Sequence, residues 1–153
     1  MATTADRAER MLREALEDSG QRFTEQRAAV YRYLSATTRH PTADEVFLHV
    51  RSELPGISLA TVYKSLETLV GCGLAVKLSY GDGSARYDGR TDPHHHVRCL
   101  ECGCVSDLPD RMPEGELARL EDAARGFRVT GVRLELTGYC AECDPHRPST
   151  AEA

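Results

Sequence analysis

The sequence predicts an α+β fold in which a helical N-terminal part precedes a smaller part that mixes helix and strand. Three observations predict it. Apolar residues recur at helical spacing up to about residue 71. They alternate with polar residues, as in strands, over 74–80 and 127–137. Two Cys-x-x-Cys pairs stand in the second part, and their members are Cys99, Cys102, Cys140 and Cys143.

The composition places the chain among ordinary globular proteins. Its 153 residues carry a net charge of −5 and include no tryptophan, and this length fits one large domain or two small ones. The N-terminus has no apolar core, and no apolar run reaches the roughly 20 residues that span a bilayer. We therefore expect no signal peptide, no membrane segment and a cytoplasmic location. In a reducing cytoplasm, paired cysteines usually bind metal.

Two helices are expected in the first forty residues. The first runs from about Asp6 to Ser19 and ends at Gly20. Its inward face is expected to consist of Met11, Leu12, Ala15 and Leu16. The second is capped by Thr24 and continues to about Ala36. Its inward residues are expected to be Ala28, Tyr31 and Leu34.

Two further helices follow the break at His40-Pro41. Thr42 and Glu45 have the spacing of a capping box, in which each side chain satisfies a helix-end amide. The apolar face of this third helix comprises Ala43, Val46, Phe47, Val50 and Leu54. Ser58 can cap a fourth helix. Its buried stripe comprises Leu59, Val62, Leu66, Leu69 and Val70.

A hairpin then completes a pattern typical of a winged helix-turn-helix. Strands over 74–80 and 84–88 are joined by a glycine-containing turn. The last helix of such a unit normally enters the major groove of DNA. The outward residues of the fourth helix are small, hydroxylated, aromatic or cationic, and a local basic patch precedes them. The predicted DNA contacts are Arg22, Ser58, Ala60, Thr61, Tyr63 and Lys64. The alternative is a helical domain that binds protein or nothing.

The second part is predicted to contain one helix and about three strands. Two short strands flank the first cysteine pair, and a helix runs over 113–125 with Leu117, Leu120 and Ala124 inward. Residues 127–137 give the strongest strand signal, and a second copy of the chain would pair the edge that this strand exposes. We therefore expect a homodimer that reads a palindromic site.

The predicted domain organisation follows from these elements. A winged-helix DNA-binding domain is expected over 1–88, a hinge over 89–92, a dimerisation and metal-binding domain over 93–145, and a flexible tail over 146–153.

Four thiolates from Cys99, Cys102, Cys140 and Cys143 can close a tetrahedral zinc site. Two redox-active dithiols are the alternative, but neither pair stands where a strand meets a helix, as a thioredoxin-like site requires. With the thiolates assigned to zinc, the nearby histidines and aspartates suggest a second metal bound by nitrogen and oxygen. A zinc hydrolase would need an open zinc position and a general base, and no HExxH motif is present. We therefore do not expect an enzyme.

Several motifs over about 20–143 together resemble the ferric uptake regulator family of metal-dependent repressors. They read GQRFTEQR, HPTADEV, SLATVYKSLETLVGCGL, RYD, HHHVRCLECG and GYCAEC. The resemblance implies a homodimer with an N-terminal winged helix and a C-terminal α/β dimerisation domain. It also implies that the four cysteines hold a structural Zn(II), in agreement with their spacing.

The resemblance further implies a regulatory metal site at the hinge. Its ligands would be His40, Asp88, His94, His96 and Asp107, and this donor set suits Fe(II) or Mn(II). Iron-sensing members usually have glutamate where this chain has Asp88 and Asp107, so the chain looks like the peroxide-sensing branch. In that branch, iron-catalysed oxidation of the residues matching His40 and His94 releases the operator. The alternative is a repressor that responds to iron, manganese or another metal without sensing peroxide.

Three positions depart from the iron-sensing pattern. Residues that feed an auxiliary metal site in many members are replaced here by Pro93, His95 and Arg125, so we do not expect that site. Cys104 stands where lysine is common and is either a spare thiol or an alternative ligand. Cys72 is interpreted as a small buried side chain.

Overall fold

The computed structural model describes residues 4–81, 83–109 and 113–146. The chain forms two compact units, one on each side of the junction between Asp92 and Pro93. The hinge predicted over 89–92 and the functional roles of the two domains remain predictions. The end of the predicted tail, residues 147–153, lies outside the described part of the chain.

The first unit contains four helices followed by a hairpin. The elements are α1 (Thr4–Asp18), α2 (Glu25–Ala36), α3 (Ala43–Val50), α4 (Leu59–Gly71), β1 (Val76–Leu78) and β2 (Arg86–Asp88). The two strands are antiparallel, with Lys77 opposite Tyr87. This is the element order of a winged helix.

The predicted caps of α2, α3 and α4 are confirmed, whereas α3 ends at Val50 and does not reach Leu54, which was expected on its apolar face. The side chains of Thr24, Thr42 and Ser58 each accept a hydrogen bond from a backbone N–H three residues ahead. The capping box of α3 is complete, because Glu45 accepts the Thr42 N–H at 2.8 Å. After α1, Gly20 has a φ of +66°, which favours glycine.

The core of the first unit takes apolar side chains from all four helices. The most deeply buried are Leu12, Leu16, Val30, Leu34, Val46, Val50, Val62, Leu66, Leu69 and Tyr87. Fully burying a side chain of this size contributes about 1.5–3 kcal/mol. The prediction that Met11 faces inward is wrong, since Met11 is 46% exposed. Leu12 and Leu16, four residues apart, form the buried face without it.

The second unit contains a three-stranded sheet and one helix. Its elements are β3 (His96–Cys99), β4 (Val105–Asp107), α5 (Glu114–Ala123) and β5 (Glu135–Gly138). The strand order is β4-β3-β5; β3 pairs antiparallel with β4 and parallel with β5. The connection from β4 to β5 passes through α5. The Arg98 guanidinium and the Glu135 carboxylate, 2.9 Å apart, link the parallel strands.

Two predictions for this unit are wrong. The strand expected over 127–137 is confined to Glu135–Gly138, because β3 has only four residues and can pair with no more of it. Leu120 was expected to face inward but is 55% exposed. Phe127 is 82% exposed, and Val132 and Leu136 are also exposed. In a single chain, the described residues therefore leave the apolar side chains of this segment exposed.

Among the helices of the described residues, none is both long enough and apolar enough to cross a membrane.

Candidate metal centres

The parallel pairing of β3 and β5 brings the two cysteine pairs together. Cys99 ends β3 opposite Gly138, and Cys140 follows β5 by two residues. The sulfur atoms of all four cysteines lie within 4.8 Å of one another. The Cys102 and Cys140 sulfur atoms are 3.8 Å apart. A tetrahedron of sulfur atoms about 2.3 Å from a zinc ion has edges of roughly 3.8 Å, so the cluster fits the predicted zinc site.

Local backbone geometry presents the sulfur atoms to a common point. The Gly103 N–H donates to the Cys99 carbonyl at 3.0 Å, and the Cys143 N–H donates to the Cys140 carbonyl at the same distance. Gly103 adopts a φ of +71°, which glycine accommodates without strain. The Cys140 N–H also donates to the Cys99 sulfur at 3.4 Å. This bond connects the two turns directly.

The environment favours thiolates at two of the four positions. Backbone N–H groups, first that of Cys140 and then that of Cys102, lower the pKa of Cys99 to about 6. The backbone N–H of Glu142 contributes most to a lowered pKa at Cys140. Hydrogen bonding of the Cys143 thiol to the Cys140 sulfur raises the pKa of Cys143. Four crowded sulfur atoms cannot all ionise together, because the thiolates would repel one another. A zinc ion binds thiolates and offsets this repulsion.

Cys104 lies beside this cluster but differs from its members. Burial is the main cause that raises its pKa to about 12. Its sulfur is not one of the four that converge. The two interpretations of Cys104, a spare thiol and an alternative ligand, stay predictions. Cys72 is half-buried against the core of the first unit.

In the first unit, His40 and Asp88 form a buried pair. The His40 Nε2 and Asp88 Oδ2 atoms are 3.2 Å apart, and both residues are at most 5% exposed. The other carboxylate oxygen of Asp88 accepts the backbone N–H of Arg90 at 2.8 Å. One oxygen thus fixes the carboxylate while the other faces the imidazole.

The strand β2 holds this pair in place. The Arg86 guanidinium donates to the His40 carbonyl at 2.9 Å and to the Glu45 carboxylate at 3.3 Å. The Tyr87 N–H donates to the Pro41 carbonyl at 2.9 Å. The segment that carries His40 is therefore tied to the strand that carries Asp88. Sequence reasoning missed Arg86, although it belongs to the same RYD motif as Asp88.

In the second unit, His94, His96 and Asp107 form a second group. His96 pairs with Asp107 across the β3–β4 ladder. One Asp107 oxygen lies 3.1 Å from His94 Nε2 and 3.5 Å from His96 Nε2. The two rings meet edge to face, with centroids 4.5 Å apart. His94 lies two residues before β3 begins, and its ring and that of His96 reach the same Asp107 oxygen.

His95, between them, has a different function. Its Nδ1 accepts the backbone N–H of Leu134 at 3.3 Å, and its carbonyl accepts the Leu108 N–H at 2.9 Å. No pattern in the sequence indicates this role, because it depends on a residue 39 positions away. His95 therefore supports the sheet.

The two groups have the chemistry of a site for a borderline or hard divalent ion. Imidazole nitrogen suits iron and zinc, and carboxylate oxygen suits manganese. Each group offers nitrogen and oxygen atoms that already converge to within 3.5 Å. His40, Asp88 and His96 are buried, and His94 and Asp107 are partly buried. An unpaired charge is costly in a buried environment.

The predicted DNA-contacting residues lie at the N-terminal end of α4 and before α2. Ser58, Ala60, Tyr63 and Lys64 are exposed, and Thr61 is half-buried. A cleft of about 490 Å³ is lined by Arg22, Thr24, Gln26, Arg27, Thr61, Lys64 and Ser65. The Arg27 guanidinium donates to the Arg22 carbonyl and to Thr68 Oγ1 on α4. Arg27 belongs to the basic patch that the sequence indicates but was not among the predicted DNA contacts, and it links the two sides of this cleft.

Comparisons with known proteins agree with this architecture. The ferric uptake regulator family model matches residues 18–137. The peroxide-responsive repressor PerR of Staphylococcus aureus is 39% identical over 130 residues, which cover 84% of this chain and 86% of that protein.

Solved structures give the same result. A zinc-bound manganese uptake regulator is 33% identical, with a TM-score of 0.66 over 85% of this chain and 98% of the other. The Vibrio cholerae ferric uptake regulator is 27% identical, with a TM-score of 0.68 over 83% and 98%. PerR from Streptococcus pyogenes is 30% identical, with a TM-score of 0.50 over 90% and 93%. The chain therefore belongs to the ferric uptake regulator family, whose members are metal-responsive, dimeric, DNA-binding repressors.

Proposed function

We propose that this protein is a transcriptional repressor that binds palindromic operator DNA as a homodimer when Fe(II) or Mn(II) is bound, and that peroxide releases it. The observation that carries this function is the presence of two donor groups: the buried pair of His40 and Asp88 in one unit and, in the other, His94, His96 and Asp107, of which His96 is buried. Together they would supply three nitrogens and two carboxylates to one ion.

Metal dependence follows if the two groups share the ion. His40 and Asp88 belong to the unit that carries α4, whereas His94, His96 and Asp107 belong to the sheet of the second unit. A shared ion would restrict the two units to an orientation that binds DNA. Metal would then tighten DNA binding, and DNA would tighten metal binding by the same factor, typically about 5- to 150-fold.

Zinc would have a separate, structural role. Four cysteine ligands leave a tetrahedral ion no open position for substrate or water. We propose that Cys99, Cys102, Cys140 and Cys143 hold Zn(II) permanently and stabilise the second unit. The family consists of transcriptional regulators, and a four-thiolate zinc offers no hydrolytic chemistry.

The DNA interface is proposed to comprise the N-terminal face of α4 and the adjacent basic cleft. Tyr63 and Lys64 are exposed on the helix that enters the major groove in winged-helix proteins. Arg22 lines the cleft beside Thr61, and the cleft provides cationic side chains for backbone phosphates. Ser58, Ala60 and Thr61 complete the proposed contact surface.

Peroxide sensing is the finer part of the function. A bound Fe(II) would supply the redox chemistry that activates hydrogen peroxide beside His40 and His94. One oxygen atom added to the His40 or His94 ring, with release of water, would make that ring a poor ligand. The S. aureus relative is named a peroxide-responsive repressor, and both carboxylate positions are aspartate, as the peroxide-sensing branch has them. Manganese would support repression without this reaction.

A metal-responsive repressor that does not sense peroxide is the second candidate. The 33% identity to a zinc-bound manganese uptake regulator favours it. The two candidates share the DNA interface and differ only in the reaction with peroxide.

Operator titrations with added Mn(II) or Fe(II) test the function. We expect both ions to tighten operator binding by a factor within the range of about 5- to 150-fold. Peroxide should reverse the effect of Fe(II) but not that of Mn(II). It should also add about 16 Da to peptides of the iron form that contain His40 or His94. Equal operator affinity with and without metal would contradict metal-dependent repression. Iron-form protein that keeps both histidines unmodified and stays on DNA would favour the second candidate.

Replacement of His40 by alanine should abolish the metal effect and leave metal-free operator affinity unchanged. The matched control is His146→Ala, which removes an exposed histidine outside both donor groups. A His40→Ala variant that still responds normally to metal would contradict the assigned ligand.

A further inference from the structure

The strand β2 places three consecutive residues in three different roles. Asp88 faces His40, and Arg86 holds the backbone of the His40 segment. Tyr87, between them, points the other way, as alternate residues of a strand do. It is 1% exposed and belongs to the core of the first unit. A movement of the backbone at Asp88 would therefore also move the side chain of Tyr87, its neighbour in this three-residue strand.

The Tyr87 hydroxyl extends through the core to α4. It donates a hydrogen bond to Glu67 Oε1 at 3.0 Å. The same carboxylate oxygen accepts the Lys77 ammonium at 2.7 Å. Lys77 is the cross-strand neighbour of Tyr87 in the hairpin. A single carboxylate on α4 is thus held by both strands of the wing.

The electrostatics fix the direction of this bond. A tyrosine phenol is protonated at neutral pH, so the Tyr87 hydroxyl donates and the Glu67 oxygen accepts. The hydrogen bond from Lys77, followed by that from Tyr87, lowers the pKa of Glu67, so the carboxylate remains charged and accepts. Hydrogen bonds to a charged acceptor are stronger than those between neutral groups.

Glu67 lies on the same helix as the proposed DNA-contacting residues. It follows Tyr63 by four positions and Lys64 by three, so it occupies the neighbouring helical turn on their side of α4. We propose that the hydrogen bond from Tyr87 to Glu67 transmits the effect of metal binding at Asp88 to the DNA-contacting face of α4. This inference rests on the proposed function. Tyr87 is a positioning residue in this relay and contacts neither metal nor DNA.

Tyr87→Phe tests the relay because it deletes only the hydroxyl and preserves the buried ring. The quantity to measure is the ratio of operator Kd without Mn(II) to operator Kd with saturating Mn(II). We expect Tyr87→Phe to reduce this ratio by about fivefold, the effect of one typical hydrogen bond on an equilibrium. Mn(II) affinity without DNA should stay within twofold of wild type, by isothermal titration. Tyr33→Phe is the matched control, since Tyr33 is a partly buried tyrosine of the same unit that stacks on His49.

A second variant separates coupling from folding. Glu67→Ala removes the acceptor from the surface of α4 and leaves the core intact, because Glu67 is exposed. It should reduce the ratio as Tyr87→Phe does, and the double variant should reduce it no further than either single variant. Additive effects in this cycle would show that the two residues act independently and would overturn the relay.

The outcomes distinguish the relay from the function on which it rests. A wild-type ratio of one would overturn metal-dependent repression and the relay with it. A wild-type ratio well above one, together with the same ratio in Tyr87→Phe, would overturn the relay alone. A lower ratio in Tyr87→Phe with unchanged metal affinity, and no change in Tyr33→Phe, would establish it.

Discussion

At the scale of single residues, Gly89 shows how closely the polypeptide is packed beside a proposed ligand. It directly follows Asp88, and a Cβ atom at this position would lie 2.5 Å from the Leu34 carbonyl oxygen and 2.9 Å from the Leu34 carbonyl carbon. Both are backbone atoms near the end of α2 and cannot move aside as a side chain could. The sequence identified Gly89 as the first residue of a hinge, whereas the structure gives it a packing role.

We expect Gly89→Ala to destabilise the first unit and weaken Mn(II) binding, because the methyl group would force Asp88 or the end of α2 to shift. Overpacking of this kind costs about 1–3 kcal/mol, or roughly 4–8 °C of Tm per kcal/mol for a unit of this size. Thermal unfolding and Mn(II) titration are the measurements. Gly56→Ala is the control, since a Cβ there meets nothing within 4 Å. Equal Tm and Mn(II) affinity in the two variants would contradict this role of Gly89.

At the scale of elements, local signals were predictable, whereas most tertiary contacts, apart from the cysteine cluster, were not. The caps at Thr24, Thr42 and Ser58 were predictable because each involves atoms within three residues. The cysteine spacing likewise predicted a cluster that the structure brings together. The ladder with β3 limits β5 to four residues, and no local pattern reveals that limit. The hydrogen bond between His95 and Leu134 was missed for the same reason.

The capping box of α3 joins helix stability to the His40 segment. The Thr42 hydroxyl oxygen accepts a hydrogen bond from the Glu45 backbone N–H. The Glu45 carboxylate accepts a hydrogen bond from the Arg86 guanidinium, which also donates to the His40 carbonyl. We expect Thr42→Ala to cost about 1 kcal/mol of stability and to weaken Mn(II) binding. Chemical denaturation and metal titration are the measurements. Thr42→Ser retains the hydroxyl and should behave like wild type, whereas a loss in Thr42→Ser as large as in Thr42→Ala would show that the cap is not the cause.

At the scale of the whole molecule, charge and apolar surface are distributed unevenly. The chain is acidic overall, yet Arg22, Arg27 and Lys64 line one cleft. Association with DNA depends on the local field of such a surface. The second unit, in contrast, exposes apolar side chains over 127–136, including Phe127 and Leu136. If the chain forms the proposed homodimer, a second copy would cover this surface, which the described residues of one chain leave exposed.

Zinc is expected to determine whether that second unit exists as a folded dimerisation surface. Its three strands contain only three or four residues each, and such a small sheet buries too little apolar area to be stable alone. The four cysteines join the end of β3 to the segment after β5, so the ion would close the sheet.

Because metal binding to such a site contributes folding free energy, we expect Cys102→Ser to lose zinc, unfold the second unit and become monomeric, while the helices of the first unit persist. Cys104→Ser should retain one zinc and the dimer, since Cys104 is not one of the four cysteines whose sulfur atoms converge. Zinc content, circular dichroism and sedimentation measure these outcomes together, and a zinc-free Cys102→Ser dimer would show that the sheet folds without its metal.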